Sequence, residues 1–321
     1  AAGRARRLRD RGGSGSMRAH AVMQATSGDG AFLARVNGAA FAGVVHSAFR
    51  RAVNITCLTS GELHTLVSGA LDDGPNSLVV ATDDFLRARI AQGDGVRAGG
   101  GCLAIADKAV VSVVRAAAWH APAPLSRGPE LGLRERLADA EAIMRRDGTP
   151  GGFLEVASGN EIARVTTRML HEAADGVTKA LGRGDEAEAL RHAGRLLGLG
   201  PGLTPSGDDF LHGLLAARAL CRNRAGVPDT FARGVARLSA TATNPISHAA
   251  LAKAARGEVR DGVARLVVAL WAPAEEALPQ ALARVLAIGS SSGTEMAFGV
   301  VRGLASITDN GEWDHGHQDR H

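Results

Sequence analysis

Residue 120 divides the chain between two hydrophobic periodicities that no single type of element accommodates. Before it, short β-branched runs alternate with turn signals: Val44-Val45, Val53-Asn54-Ile55-Thr56, Ser77-Leu78-Val79-Val80, Leu103-Ala104-Ile105 and Val110-Val111-Ser112-Val113-Val114. Asp73-Gly74-Pro75, Gly93-Asp94-Gly95 and Gly99-Gly100-Gly101 punctuate them, the pattern of strands joined by tight turns. A helix is predicted to interrupt the strands from Thr82, with Asp83 and Asp84 favourably placed in its first turn. His120-Ala121-Pro122-Ala123-Pro124 then stiffens the backbone into a linker. Beyond it the apolar spacing becomes helical, as in Leu133, Leu137, Ala140 and Met144, and after a break at 147–152 at least six helices follow up to Ala305. The predicted fold class is α+β with segregated elements: an N-terminal mostly-β domain at 27–120, then a C-terminal α-helical domain at 121–306.

The ends of the chain explain its charge. A formal net charge of +4 invites a nucleic-acid reading, but Arg4, Arg6, Arg7, Arg9, Arg11 and Arg18, against Asp10, carry more than the whole excess. What remains holds slightly more acids than bases, so no basic stripe is left to track a phosphate backbone and nucleic acid is not an expected partner. Residues 1–26 read as a disordered basic leader, with Met17 as the expected natural start after Gly12-Gly13-Ser14-Gly15-Ser16. Residues 307–321, with His315, His317 and His321, read as a solvated polar tail. No apolar run reaches the roughly 20 residues of a bilayer span. Cys57, Cys102 and Cys221 form neither a C-x-x-C pair nor an even disulfide set, so a cytoplasmic location is expected.

The most informative segment is 198–213, GLGPGLTPSGDDFLHG. Its first ten residues hold four glycines and two prolines, which fix a particular backbone path, and the Phe210, Leu211, Leu214, Leu215 spacing announces a buried helix immediately after. Glycines allow close approach of a ligand, and a helix start offers unpaired N–H groups to an anion. Ser206 followed by Asp209 also matches a capping box, a purely structural reading. The signature S-G-x-[DE] recurs at Ser158-Gly159-Asn160-Glu161 and at Ser292-Gly293-Thr294-Glu295. Two copies extend further, to Gly213 and Gly299, which predicts a close helix crossing. Facing one another, 200–206 and 289–292 would line one polar pocket suited to phosphate or carboxylate. Asp208 and Asp209 project about 100° apart on a helix, so if one caps, the other is free to bind Mg²⁺, orient an arginine or act as a base.

Weaker candidates have bland alternatives. Asn244-Pro245-Ile246-Ser247-His248 is first a capped helix start, and a site role for Ser247 or His248 is its secondary reading. His64, on an expected hairpin strand, reads as surface or core before catalytic. Arg50-Arg51 reads as a solvated pair that would also neutralise an anionic substrate.

The 198–213 run resembles the hallmark of the AllH family, which includes a subunit of oxamate carbamoyltransferase. The resemblance extends to Arg50-Arg51-Ala52-Val53-Asn54 with Ser60-Gly61-Glu62-Leu63, and to Ala287-Ile288-Gly289-Ser290-Ser291-Ser292-Gly293, covering about 32–303. It implies a role in anaerobic allantoin breakdown, where oxalurate and phosphate are exchanged with oxamate and carbamoyl phosphate by an assembly with AllF-like and AllG-like subunits. Carried onto this chain, it points to Asp208 and Asp209 as catalytic residues, which the reading of the paired carboxylates also makes ligands for a candidate Mg²⁺. Gly200, Gly202, Thr204, Ser206, Ser292, Gly293, Arg51 and Asn54 become the substrate-binding set. Two other readings stand beside it: a non-catalytic scaffold or binding subunit of that complex, and an enzyme acting on another small anionic metabolite.

Overall fold

The computed structural model describes residues 21–38, 41–155, 161–221, 229–272 and 277–309. Among the described residues nine strands form the first half: β1 (Ala21–Asp29), β2 (Phe41–Ala48), β3 (Ala52–Cys57), β4 (Leu63–Ser68), β5 (Ser77–Val80), β6 (Gly95–Gly99), β7 (Cys102–Ile105), β8 (Ala109–Ser112) and β9 (Ala117–Trp119). Their order is β5-β4-β3-β2-β6-β7-β8-β1, and β1 pairs back onto β5 through Ala25↔Val80 and Gly28↔Leu78, closing an eight-stranded barrel. Closure leaves none of these eight as a free edge. Strand β9 adds to the outer part of β1. Helix α1 (Gly30–Asn37) contributes Phe32, Leu33 and Val36 to the barrel core, beside Val53, Ile55, Leu66, Leu78, Leu103 and Ile105.

The second half is helical: α2 (Leu133–Asp147), α3 (Glu161–Gly182), α4 (Glu186–Leu196), α5 (Ser206–Cys221), α6 (Thr230–Ala242), α7 (Pro245–Ala254), α8 (Asp261–Trp271), α9 (Leu278–Leu286) and α10 (Ser292–Asp309). Helix α2 buries Leu133, Leu137, Ala140 and Met144, the apolar stripe expected of it. Helix α5 is buried along nearly its whole length, the signature of a helix enclosed by others. The fold is therefore α+β, with a β domain first and a helical domain second.

Three boundaries differ from expectation. Strand β1 starts at Ala21, so residues 21–26 belong to the barrel rather than to a leader. The helix expected from Thr82 is a single 3₁₀ turn, Phe85–Ala88, which Asp84 caps by accepting from the Leu86 N–H and which Arg89 ends in a left-handed conformation (φ 55°). Helix α10 runs to Asp309, past the expected start of the tail. The leader up to His20, Ser158-Gly159-Asn160 of the third S-G-x-[DE] copy, and the tail histidines lie outside the described residues.

The domains are clasped through the β4–β5 loop. The Arg260 guanidinium donates from Nε to Asp72 at 2.9 Å, and Asp72 accepts the Gly262 N–H at 2.6 Å at the start of α8. Lys253 on α7 lies 3.7 Å from Glu62. This clasp lays the outer face of β3 and β4 against α5 and α7, with a cleft between them.

Candidate functional site

Helix α4 stops at Leu196, and the chain reverses through Gly198 (φ 74°), Gly200 (φ 104°) and Gly202 (φ 108°), backbone conformations that side chains disfavour. At Gly200 a Cβ would also come within 2.8 Å of the Ser206 Cβ, so the loop folds onto the start of α5 only with glycine there. Asp208 fastens the turn: Oδ1 accepts from the Gly198 N–H at 2.9 Å and Oδ2 from the Thr243 hydroxyl. Gly207 lies against the end of α4, where a Cβ would meet the Leu196 carbonyl oxygen at 2.1 Å.

The start of α10 repeats this construction. Gly293 lies against the end of α9, 1.9 Å from the Val285 carbonyl oxygen to an added Cβ. Between the two helices, Gly213 faces Met296 and Gly299 faces Phe210, each with an added Cβ about 2 Å from a backbone oxygen of the opposite helix (1.9 and 2.0 Å). The glycines thus bring α5 and α10 into backbone contact, as the paired motifs predict. The two loops meet where the Thr204 and Ser292 hydroxyl oxygens stand 3.0 Å apart.

The cleft has a volume of about 380 Å³. Its barrel wall presents Arg51, Ala52, Asn54, Leu63, Thr65 and Val67, and its helical wall includes Thr204, Asp208, Asp209, His212, Ser247 and Ser292. Asp209 is 4 % exposed, and its Oδ2 accepts from the Thr204 hydroxyl at 2.8 Å. Burial pushes the Asp209 carboxyl up to about 7, with the Thr204 and Ser292 hydroxyls pulling it down and Asp208 pushing it further up. Burial also raises Asp208, against the Thr243 hydroxyl, the Gly198 N–H and the Ser247 hydroxyl. A carboxyl poised near neutrality in a cleft suits proton transfer.

Six of the ten residues named from the sequence line this cleft: Arg51, Asn54, Thr204, Asp208, Asp209 and Ser292. Asn54 is braced on the barrel wall, donating to the Ser47 hydroxyl at 2.9 Å and accepting from Thr65 at 3.0 Å. The other four do not line it. Gly200 and Gly202 shape the loop and Gly293 packs on α9. Ser206 turns to the opposite side, where a Cβ on Gly152 would lie 2.4 Å from its Oγ and 2.1 Å from Glu295 Oε1. The capping-box reading is corrected too, because Asp209 accepts from Thr204 while the Ser206 hydroxyl lies beside Glu295.

Sequence reasoning passed over His212, Thr65, Lys253 and Arg260, all of which line the cleft. Only His212 left a local signal, one helical turn beyond Asp208 inside the motif. Ser247, whose secondary reading was a site role, lines the cleft, and His64 is a core residue stacked on Phe32. Among the described residues no three His, Cys, Asp or Glu side chains converge as a metal-binding set. Asp208 accepts from Gly198 and Thr243, and Asp209 from Thr204, so three of the four carboxylate oxygens already accept a hydrogen bond within the protein.

Two family models match the chain. Residues 24–118, the barrel, match the AllH family N-terminal domain, and residues 196–304 match the model described as oxamate carbamoyltransferase subunit AllH. The chain belongs to the AllH family. The second match begins at the last residue of α4 and ends within α10, so both glycine-bearing helix starts of this AllH chain fall inside it. No solved structure matches. Among the described residues no helix is long and apolar enough to cross a membrane.

Proposed function

We propose that this AllH-family chain is the subunit of an oxamate carbamoyltransferase that binds the small anionic substrates in the cleft between barrel and helices, working with AllF-like and AllG-like partners. One observation carries the reading: Asp209, held near neutrality by burial, lies in a cleft whose opposite wall bears Arg51. The volume is at the lower end of the roughly 300–1,000 Å³ of ligand sites. Arg260 and Lys253 are already paired with Asp72 and Glu258, while Arg51 is exposed and placed to offset substrate charge.

In the proposed reaction the amide nitrogen of oxamate attacks the carbonyl carbon of carbamoyl phosphate. The new C–N bond forms as the C–O bond to phosphate breaks, giving oxalurate and phosphate. Ionised Asp209 accepts the proton released from that nitrogen and passes it to the departing phosphate, so the carboxylate is regenerated. Thr204 and Ser292 orient Asp209, and Asp208 holds the loop that carries Thr204.

The test is a melting-temperature panel on the full chain with phosphate, carbamoyl phosphate, oxamate and oxalurate, each with and without Mg²⁺, followed by turnover of the assembly with its partner subunits. Anion-induced stabilisation is expected without Mg²⁺. Asp209→Asn is expected to lower turnover by about a hundredfold or more with native circular dichroism. Stabilisation by none of the four anions, with turnover unaffected by Asp209→Asn, leaves the scaffold reading instead.

A further inference from the structure

His212 stands out among the polar residues of the cleft. It follows Asp209 by three positions and Asp208 by four, so all three share one face of α5, and all three line the cleft. Their situations differ in one respect. Asp208 and Asp209 are hydrogen-bonded, as is Asn54 across the cleft. The His212 side chain is 7 % exposed, and its Nε2 is buried with no hydrogen-bond partner among the described residues. An enclosed ring nitrogen without a partner costs stability that a leucine or methionine of similar size would not. The ring lines the cleft, so a ligand that closes on it, with a small turn of the imidazole, can supply the missing partner.

We propose that the His212 imidazole is a substrate-contacting group of the cleft, a neutral hydrogen-bond donor to the carbonyl oxygen of a bound carbamoyl or oxamate amide group. The proposal rests on the reading of the cleft as the substrate site. Burial, reinforced by the nearby Arg260 charge, holds the ring's pKa down at about 4, so at neutral pH it offers one N–H and carries no charge. A neutral donor complements a carbonyl whose oxygen gains negative charge during attack, whereas Arg51 meets the anionic end of the substrate. Nothing in this role requires His212 to exchange a proton; that task stays with Asp209.

The deciding experiment measures the melting temperature of wild type, His212→Leu and His212→Gln, each alone and with carbamoyl phosphate or oxamate. The expected result is a ligand-induced rise in wild type, its loss in His212→Leu, and partial recovery in His212→Gln, whose side-chain amide restores a donor. Without ligand, His212→Leu is expected to melt at or above the wild-type temperature, because the unpaired nitrogen is gone. In the assembled transferase, His212→Leu is expected to lower turnover by about a hundredfold, the loss typical of one donor to a developing oxyanion. An undiminished ligand-induced rise in His212→Leu overturns this proposal and leaves the cleft reading intact. Absence of any rise in wild type, together with turnover unaffected by Asp209→Asn, overturns the cleft reading itself, and the role of His212 with it.

Discussion

Helices α5 and α10 begin with the same device but set their carboxyls in different surroundings. Each opens on Ser-Gly, each puts a carboxyl at the fourth position, and each carries a glycine one turn later for the crossing. Both carboxyls are buried and pushed up, Asp209 to about 7 and Glu295 to about 8. Asp209 lines the cleft through a loop that also delivers the Thr204 hydroxyl. Glu295 is fully enclosed: its Oε2 accepts the Phe153 N–H at 3.2 Å, and Gly152 closes over its other oxygen. A short helix-starting signature therefore says that a carboxyl will be buried. Whether it meets solvent depends on what covers it, and here residues 152–153 cover one while the other lines the cleft.

The largest effect is expected where the two helices are most alike. Gly213→Ala and Gly299→Ala each drive a methyl group into a backbone oxygen about 2 Å away, a contact that cannot relax by side-chain rotation. Each substitution should destabilise by about 3 kcal/mol or more, at the upper end of overpacking costs, read by urea unfolding. Similar losses would establish the crossing as symmetric. A tolerated Gly213→Ala beside a damaging Gly299→Ala would show that α5 yields and α10 does not.

The next comparison separates the two carboxyls. Glu295→Gln is expected to leave turnover within a few-fold of wild type while Asp209→Asn nearly abolishes it, since only Asp209 reaches the cleft. Stability carries the matching signature. A carboxyl whose pKa is raised on folding contributes stability at low pH that is lost as pH rises through the folded value. His212, depressed to about 4, acts in the opposite direction between its ordinary 6.5 and 4. Above pH 6.5 that contribution is constant, so wild type should lose stability from pH 6.5 to about 8, and Glu295→Gln should flatten that decline. An unchanged slope in Glu295→Gln, read from melting temperatures across that range, would mean that Glu295 is already ionised in the folded protein.

How far this was legible in the sequence follows from which constraints are local. Paired β-branched residues announced β2, β3, β5, β7 and β8, and the Leu133 to Met144 spacing announced α2. The first six residues of β1 read as leader because the strand's sequence, AVMQATSGD, mixes polar and apolar residues while pairing in turn with β8, β5 and β9. Strand β6 was hidden between glycines that read as turns. Within the motif, sequence located the bend, the helix and the crossing glycine Gly213, but did not distinguish the glycines needed for left-handed backbone (Gly200, Gly202) from Gly207, needed for close packing. Arg51 was reached by its charge and again by family resemblance, Asn54 by the resemblance alone. Lys253 and Arg260 were missed because the cleft exists only once the β4–β5 loop clasps α8, a long-range contact that no spacing records.

The smallest predicted effect tests whether the hydroxyl beside Asp209 tunes it. Thr204→Val removes the 2.8 Å hydrogen bond to Asp209 and the contact with Ser292, at a cost to stability of about 1 kcal/mol. Because that bond favours the ionised carboxylate, its loss should raise the Asp209 pKa and move the ascending limb of the pH–rate profile to higher pH. Thr294→Val is the control on the other helix: its hydroxyl oxygen accepts from the Thr149 N–H at 3.0 Å, away from the cleft. A similar loss of stability is expected there, but with the pH–rate limb unmoved. If both variants shift the limb equally, Asp209 and Glu295 titrate as one coupled pair through the helix crossing, and the separation of a reactive carboxyl from a sealed one fails.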